Sequence, residues 1–340
     1  MTESQPTTLR TTSQHRAVLS ADVTPVPADR RPEAGAIAVL PRPSAVFVDA
    51  VESGGGTVSD LSEDTRGLIW LSPRGADDLA AALEAHPSIG WVQLPFAGVD
   101  AFTRVIADEK HSGILWTSAK GAYAEPVAEH ALALTLALLR VLPKRVVARS
   151  WATEPEGRSL YGLNVVIIGA GGIALELIRL LAPFDATITI VRRSETPVPG
   201  ADRTVATDAL GEVLPDADVV IVAAALTGGT RHLFGSDEFT AMKNTAYLVN
   251  IARGGLVDTD ALVTALASGT IAGAGIDVTD PEPLPDGHPL WDEPRALITP
   301  HQADTPEMTA PLLAERIRLN VEAFHGDGRF VGVVDAEAGY

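Results

Sequence analysis

The sequence predicts an α/β protein built from two doubly wound parallel sheets, and three observations predict it. Short apolar runs of strand length alternate with helix-like segments from Ala36 to about Thr299. A glycine turn joins a strand to a helix at Gly169 to Ala174, within that alternation. The chain has 340 residues, enough for two domains of ordinary size, each with its own core.

The bulk numbers narrow the function classes. A formal net charge of -18 argues against a nucleic-acid partner, which needs a basic face. It does not argue against a small anionic ligand held by a local arginine. The chain has no cysteine, which excludes disulfides, thiolate metal sites and cysteine nucleophiles and suits a reducing cytoplasm. No metal site is expected. No stretch approaches the roughly 18 apolar residues of a membrane span; Ala131 to Leu142 comes nearest and runs into Pro143-Lys144-Arg145. Residues 1–35 carry no apolar signal core, are rich in Thr, Ser, Pro and Arg, and read as a disordered tail.

From Ala36 the elements follow in order. Ala36 to Leu40 is a strand ended by Pro41-Arg42-Pro43, and Ser44 opens a helix-like stretch through Val51 that Gly54-Gly55-Gly56 closes. Leu68 to Leu71 and Trp91 to Leu94 read as strands around a helix over Asp77 to Ala85. Pro126 stands in the first turn of a helix running to Leu142, apolar around most of its circumference and therefore buried in a core or a subunit interface. A charged, glycine-containing break over Thr153 to Gly162 precedes the βα units from Leu163 to Thr299, and Pro306 to Phe324 reads as a last helix.

The glycine turn carries the first chemical signal. Val165 to Ile168 is a buried strand, Gly169-Ala170-Gly171-Gly172-Ile173-Ala174 follows at once, and a helix runs on to Leu181. Gly169 permits the tight turn, Gly171 lets the backbone approach a pyrophosphate, and Ala174 is small enough for helix–strand packing. The helix N-terminus adds free N–H donors and positive potential, so a dinucleotide is expected here. The next strand, Ala186 to Val191, ends in Arg192-Arg193 where an NAD site offers an acid to the ribose 2′-hydroxyl. Guanidinium groups there suit a 2′-phosphate, so NADP(H) is favoured and NAD(H) remains possible.

Downstream, an Arg, an Asp, a Glu and a His stand at or just beyond strand ends. Arg253 follows Leu248 to Ala252, Asp277 follows Gly273 to Ile276, Glu282 lies in the turn beyond it, and His301 follows Ala296 to Pro300. Ligands of a doubly wound sheet lie at those ends, so the four can converge. Hydride arriving at a carbonyl carbon leaves charge on oxygen, and His301 suits its protonation because its reference pKa lies near working pH. A carboxylate such as Glu282 favours and orients the imidazolium, while Arg253 can polarise the carbonyl and hold a carboxylate. Asp277 is better placed for the nicotinamide end than for proton transfer. His130, inside the apolar helix, is expected to make a structural hydrogen bond.

From about Ile37 to Phe324 the chain resembles the D-isomer-specific 2-hydroxyacid dehydrogenase family. The resemblance rests on GAGGIA at 169–174, VNIARGGLVDTDAL at 249–262, GAGIDVTDPEPLP at 273–285 and LITPH at 297–301, with FAGVD at 96–100 and VAEHALAL at 127–134 in the same order. It implies reduction of a small 2-oxo acid to the D-2-hydroxy acid by Arg253, Glu282 and His301, with further cofactor contacts from Gly172, Ile173, Ala223, Ile251 and Ala252. The substrate carboxylate would be held by Ala97-Gly98-Val99 and Arg253, with Arg42 within reach of the cleft. It also implies a Rossmann cofactor domain, residues 126–301, inserted into a flavodoxin-like substrate domain, residues 36–125 plus 302–326, closing by a hinge and dimerising through the cofactor domain.

The departures matter. Arg192 replaces the usual acid, and the turn at Ala223-Ala224 lacks the proline that family members often carry. Phe96-Ala97 offers no polar side chain, so backbone N–H groups must carry recognition in that loop. About 16 residues follow Phe324, too few for a regulatory domain, which disfavours a feedback-regulated phosphoglycerate dehydrogenase but leaves the short form open. A nucleotide-sensing binding protein on the same fold also stays open, although the complete Arg-Glu-His set favours the enzyme. Formate dehydrogenase pairs its histidine with glutamine, and Glu282 argues against it.

Overall fold

The computed structural model describes Val18, residues 23–151 and residues 155–335. The chain separates into two compact units, one ending at Glu125 and resuming at Pro306, the other spanning Pro126–Thr305. Of the tail expected over residues 1–35, residues 1–17 and 19–22 lie outside the described residues.

The first unit holds a parallel sheet of β2 (Ala36–Leu40), β3 (Thr65–Trp70), β4 (Trp91–Gln93) and β5 (Leu115–Thr117), paired in chain order. A parallel bridge from Ile37 to Val58 adds a one-residue strand on the far side of β2, which gives the flavodoxin-like order. The sheet's apolar residues pack against α1 (Ala45–Ser53), α2 (Ala76–Ala85), α3 (Thr103–Ile106) and the C-terminal helix α10 (Pro306–His325). On α10, Leu313, Ile317, Asn320, Val321 and Phe324 recur at helical spacing and are buried. A Cβ at Gly54, just past α1, would stand 2.7 Å from the Arg318 carbonyl, so α1 and α10 meet at glycine distance. Arg316 of α10 is wholly buried, donates to the Ser118 and Lys120 carbonyls, and burial pulls its pKa down to about 10.

Two expectations for this unit need correction. A disordered tail through residue 35 is contradicted by β1 (Val23–Pro25), and an end at residue 326 by β13 (Arg329–Val331); the two pair antiparallel. Beyond β13, Val334 N–H donates to Trp116 and Ser118 N–H to Gly332, tying the chain end to β5. Neither strand has a local pattern long enough to read, because each exists through a partner some 300 residues away in sequence.

Asn320 makes that end part of the core. Its Nδ2 donates to Gln93 Oε1 at 2.7 Å and to the Val331 carbonyl at 2.9 Å, while its Oδ1 accepts from Val331 N–H at 2.7 Å. All three groups are buried.

The second unit is a seven-stranded parallel sheet: β6 (Asn164–Ile168), β7 (Thr187–Arg192), β8 (Arg203–Ala206), β9 (Val219–Val222), β10 (Tyr247–Asn250), β11 (Gly273–Ile276) and β12 (Ala296–Ile298), in spatial order β12-β11-β10-β9-β6-β7-β8. β6 lies between β7 and β9, where the order reverses, and in such sheets that is where ligands bind. Helices α4 (Ala124–Leu139), α5 (Leu142–Val146), α6 (Gly172–Leu181), α7 (Leu210–Val213), α8 (Ser236–Ala241) and α9 (Thr259–Ser268) complete the unit, α4 beginning two residues before it. β6 and β9 are buried along nearly their whole length, so they read as unbroken apolar runs rather than alternating ones.

Strand register fixes where the chain leaves this sheet. Ile168 pairs with Val222, Val222 with Asn250, Asn250 with Ile276, and Ile276 with Ile298. Five strands therefore end in one row, and the next residue on each (Gly169, Ala223, Ile251, Asp277 and Thr299) begins the chain's exit from the same sheet edge. Four strand spacings put the ends of that row about 19 Å apart.

Replacing Asn320 with Ala should lower the unfolding free energy by about 3 kcal/mol, since the buried Val331 N–H and carbonyl lose their partner and Gln93 Oε1 keeps only its bond from Thr117 Oγ1. A denaturant titration followed by tryptophan fluorescence checks this; an unchanged midpoint would show that the buried triad does not hold the chain end.

Candidate active site

The glycine turn is built as a cradle. Gly169 has φ +110°, and a Cβ on it would lie 2.6 Å from the Ala223 carbonyl, so only glycine fits between the ends of β6 and β9. At Gly171 a Cβ would meet nothing within 4 Å, so the backbone is open to approach. Gly171 caps α6 without a side-chain hydrogen bond, leaving the N–H groups of Gly172 and half-exposed Ile173 at a free helix start. Ala174 is fully buried where the helix meets the sheet. These features fit a dinucleotide diphosphate, whose charge the helix N-terminus favours.

β7 ends at Arg192, half-buried and donating to the Thr196 carbonyl at 3.5 Å, and Arg193 beside it is exposed. Ala223 is half-exposed at the end of β9. Ile251 and Ala252 are buried, and Asn250 orders their turn: its Oδ1 accepts from Ala252 N–H and its Nδ2 donates to the Arg253 carbonyl. Arg253 thus leaves the sheet in extended conformation (φ -144°, ψ 143°), half-buried, with its guanidinium also donating to the Ala252 carbonyl. Gly254 is obligatory because a Cβ there would collide with the Thr279 carbonyl. That contact packs the turn carrying Arg253 against the turn leading to Glu282.

At the far end of the row, His301 Nδ1 and Glu282 Oε1 are 2.6 Å apart, with side chains 53% and 43% exposed. Solvent can therefore exchange protons with the ring. The carboxylate accepts from Nδ1–H, which leaves Nε2 to transfer a proton. His301 adopts φ +52°, a left-handed conformation that costs a non-glycine residue on the order of 1 kcal/mol.

Asp277 explains how that conformation is held. It is 2% exposed, and its carboxylate accepts from Thr299 Oγ1 at 2.7 Å, Gln302 N–H at 2.9 Å and Ala303 N–H at 3.2 Å. Its own carbonyl accepts from His301 N–H at 2.6 Å. Burial alone would push the Asp277 pKa up, but hydrogen bonds from His130, Thr299 and Gln302 outweigh it and hold the group below the usual range. The carboxylate that the sequence aims at the nicotinamide is thus already engaged by the chain's own donors. His130 makes the hydrogen bond expected of it, to Thr299 Oγ1 at 2.9 Å. Asp304, half-buried three residues past His301, is pushed up by burial against the pull of the His301 charge.

Thr299 is a site residue that the sequence pattern did not reveal. It stands directly before Pro300-His301, but its partner His130 lies 169 positions earlier, and no local spacing signals the pair. In the first unit, Ala97, Gly98 and Val99 form the exit from β4, and their N–H groups have no acceptor among the described residues. Val99 itself is buried, and Arg42 is exposed in the turn after β2.

Comparison with known proteins agrees with this architecture. Residues 132–303 match the family model for the D-isomer specific 2-hydroxyacid dehydrogenase, NAD binding domain. An uncharacterized protein of Corynebacterium melassecola is 42% identical over 259 residues, 74% of this chain and 84% of the relative. Glyoxylate reductase of Thermofilum pendens is 33% identical over 257 residues, 72% of this chain and 74% of the relative. The D-isomer specific 2-hydroxyacid dehydrogenase of Xanthobacter autotrophicus Py2, solved in complex with NADPH and MES, superposes with a TM-score of 0.74 at 26% identity, covering 90% of this chain and 99% of that one. With half of its length matched by the family model and the glycine cradle, Arg253, Glu282 and His301 standing on one sheet edge, the chain belongs to the D-isomer specific 2-hydroxyacid dehydrogenase family.

Proposed function

We propose that this enzyme reduces a small 2-oxo acid to the D-2-hydroxy acid at the sheet edge that carries Arg253, Glu282 and His301. The observation that carries the proposal is the 2.6 Å Glu282–His301 pair, half-exposed on the same edge as the glycine cradle. The relative named glyoxylate reductase supports a substrate of that size.

A nicotinamide cofactor held at the glycine cradle would supply the hydride, and the chain supplies the rest. Arg253 pairs with the substrate's carboxylate and polarises its carbonyl oxygen, which gains charge as the carbon is reduced. His301, protonated on both nitrogens, gives its Nε2 proton to that oxygen and becomes the neutral imidazole. Glu282 keeps the Nδ1 proton in place, orients the ring and stabilises the imidazolium before transfer. The neutral ring then recovers a proton from solvent through its exposed face. Taken within its own unit, the Ala97-Gly98-Val99 loop offers N–H groups that have no acceptor among the described residues and suit a carboxylate.

Two finer readings belong to the same proposal. Arg192 and Arg193, at the end of β7, favour a 2′-phosphate, and hence NADP(H) over NAD(H). Leu142, Val146, Val147, Trp151 and Tyr161 are exposed apolar residues close in sequence on the second unit, Trp151 fully so. Such a group of side chains fits a homodimer interface on that unit.

His301→Asn should lower kcat by about 10²–10⁴-fold, the usual range for a general acid. Glu282→Gln should lower it less, and Arg253→Lys should act mainly on the KM for the oxo acid. Full activity of folded His301→Asn protein in a steady-state assay would exclude the mechanism. For the cofactor, kcat/KM should favour NADPH by about tenfold or more, equivalent to about 1.4 kcal/mol, and Arg192→Glu should reverse the order; a wild-type preference for NADH would remove the assignment. Sedimentation equilibrium should give a dimer for the wild type and a monomer for Trp151→Ser combined with Val146→Asp. A monomeric wild type would refute the interface.

A further inference from the structure

We infer that His130 is a positioning residue for His301, acting through Thr299 and Asp277 to lock the turn that carries it. The inference rests on the reading of His301 as the proton donor.

The hydrogen bonds have a direction. Asp277 is held ionised and can only accept, so Thr299 Oγ1–H must donate to its Oδ1 at 2.7 Å. The remaining lone pairs of that hydroxyl face His130 Nε2 at 2.9 Å, so Nε2 is the nitrogen that carries a proton. The same Nε2 lies 3.5 Å from Asp277 Oδ1, within reach of its charge. The result is a one-way chain, His130 Nε2–H to Thr299 Oγ1–H to Asp277, ending on the carboxylate that also gathers the N–H groups of Gln302 and Ala303. Residues 299–303 are thereby fixed on both sides of His301.

The fold gives His130 this reach by a close helix–strand contact. A Cβ on Gly275 of β11 would lie 3.1 Å from Leu134 Cβ of α4, so the two elements touch there. Moving from Leu134 back to His130 is one helical turn, about 6 Å. Moving from Gly275 on to Asp277 is two strand residues, about 6.6 Å. The matched steps bring the imidazole level with the carboxylate, the His130 side chain 20% exposed and the Asp277 side chain 1% exposed. Without these side-chain hydrogen bonds, fewer contacts would oppose relaxation of the left-handed His301 backbone, and the ring would drift from the geometry that proton transfer requires.

The test uses His130→Phe and Thr299→Val, which remove the chain while keeping bulk, beside His130→Gln and Thr299→Ser, which retain a donor or a hydroxyl. Both disruptive variants should lose kcat by about 10–100-fold, with KM for glyoxylate and the dissociation constant of NADPH little changed. The conservative variants should recover most of it, and the double disruptive variant should be no worse than either single one, because the members act as a unit. In cofactor-free protein, amide hydrogen exchange of His301, Gln302 and Ala303 should accelerate in the disruptive variants while exchange in β6 and β9 stays as in the wild type. Unchanged kcat with unchanged exchange would overturn the proposal, as would a loss confined to KM or spread over the whole sheet. His301→Asn separates the two levels: if that variant is inactive while His130→Phe is not, only the positioning role falls, and if His301→Asn is fully active, the underlying assignment of the proton donor falls.

Discussion

The glycine cradle and the Arg253, Glu282 and His301 group depend on five parallel strands ending in register. Pairing of Ile168, Val222, Asn250, Ile276 and Ile298 across the sheet forces five chain exits onto one edge. No residue of the site is near another in sequence except within single turns, so the register alone assembles them. The register is hard to slip, because a one-residue shift would move every side chain to the opposite face and unseat its packing there. The sheet edge is therefore a rigid frame, and the exits can sustain unusual geometry. Gly169 threads between two strand ends at φ +110°, Gly254 packs its backbone against the Thr279 carbonyl, and His301 turns left-handed.

Electrostatics sets the order of the two carboxylates on that edge. Asp277 is buried and saturated by donors, so it stays ionised and serves as an anchor for the backbone around His301. Glu282 is half-exposed and has the imidazole as its partner. The difference arises from position on the edge: Asp277 is the first residue after β11, still inside the packed sheet, whereas Glu282 lies farther out in the turn. Burial alone thus separates two similar side chains, one locked among donors and one open to solvent.

Much of this was legible in the sequence, because long apolar strands and glycine turns leave local signals. The alternation of strands and helices, the turn at residues 169–174 and the placement of Arg253, Glu282 and His301 after strands all come from pattern and spacing. Features that exist only through distant partners left no such signal. β1 and β13 are three-residue strands with no internal period, and each is defined by the other. Asn320 looks like a polar interruption of an apolar helix stripe until Gln93 and Val331 surround it. Thr299 looks like filler before Pro300-His301, until the fold brings His130 alongside. Buried polar groups must find partners, but sequence does not say which ones.

The central claim is that this edge delivers a hydride and a proton to one face of a 2-oxo acid. Chiral chromatography of the product formed from hydroxypyruvate and NADPH by the wild-type protein tests it most directly. The account predicts a single D-2-hydroxy acid formed in equal amount to the oxidised cofactor. Binding of NADPH without conversion of any 2-oxo acid, or formation of the L-isomer, would contradict it.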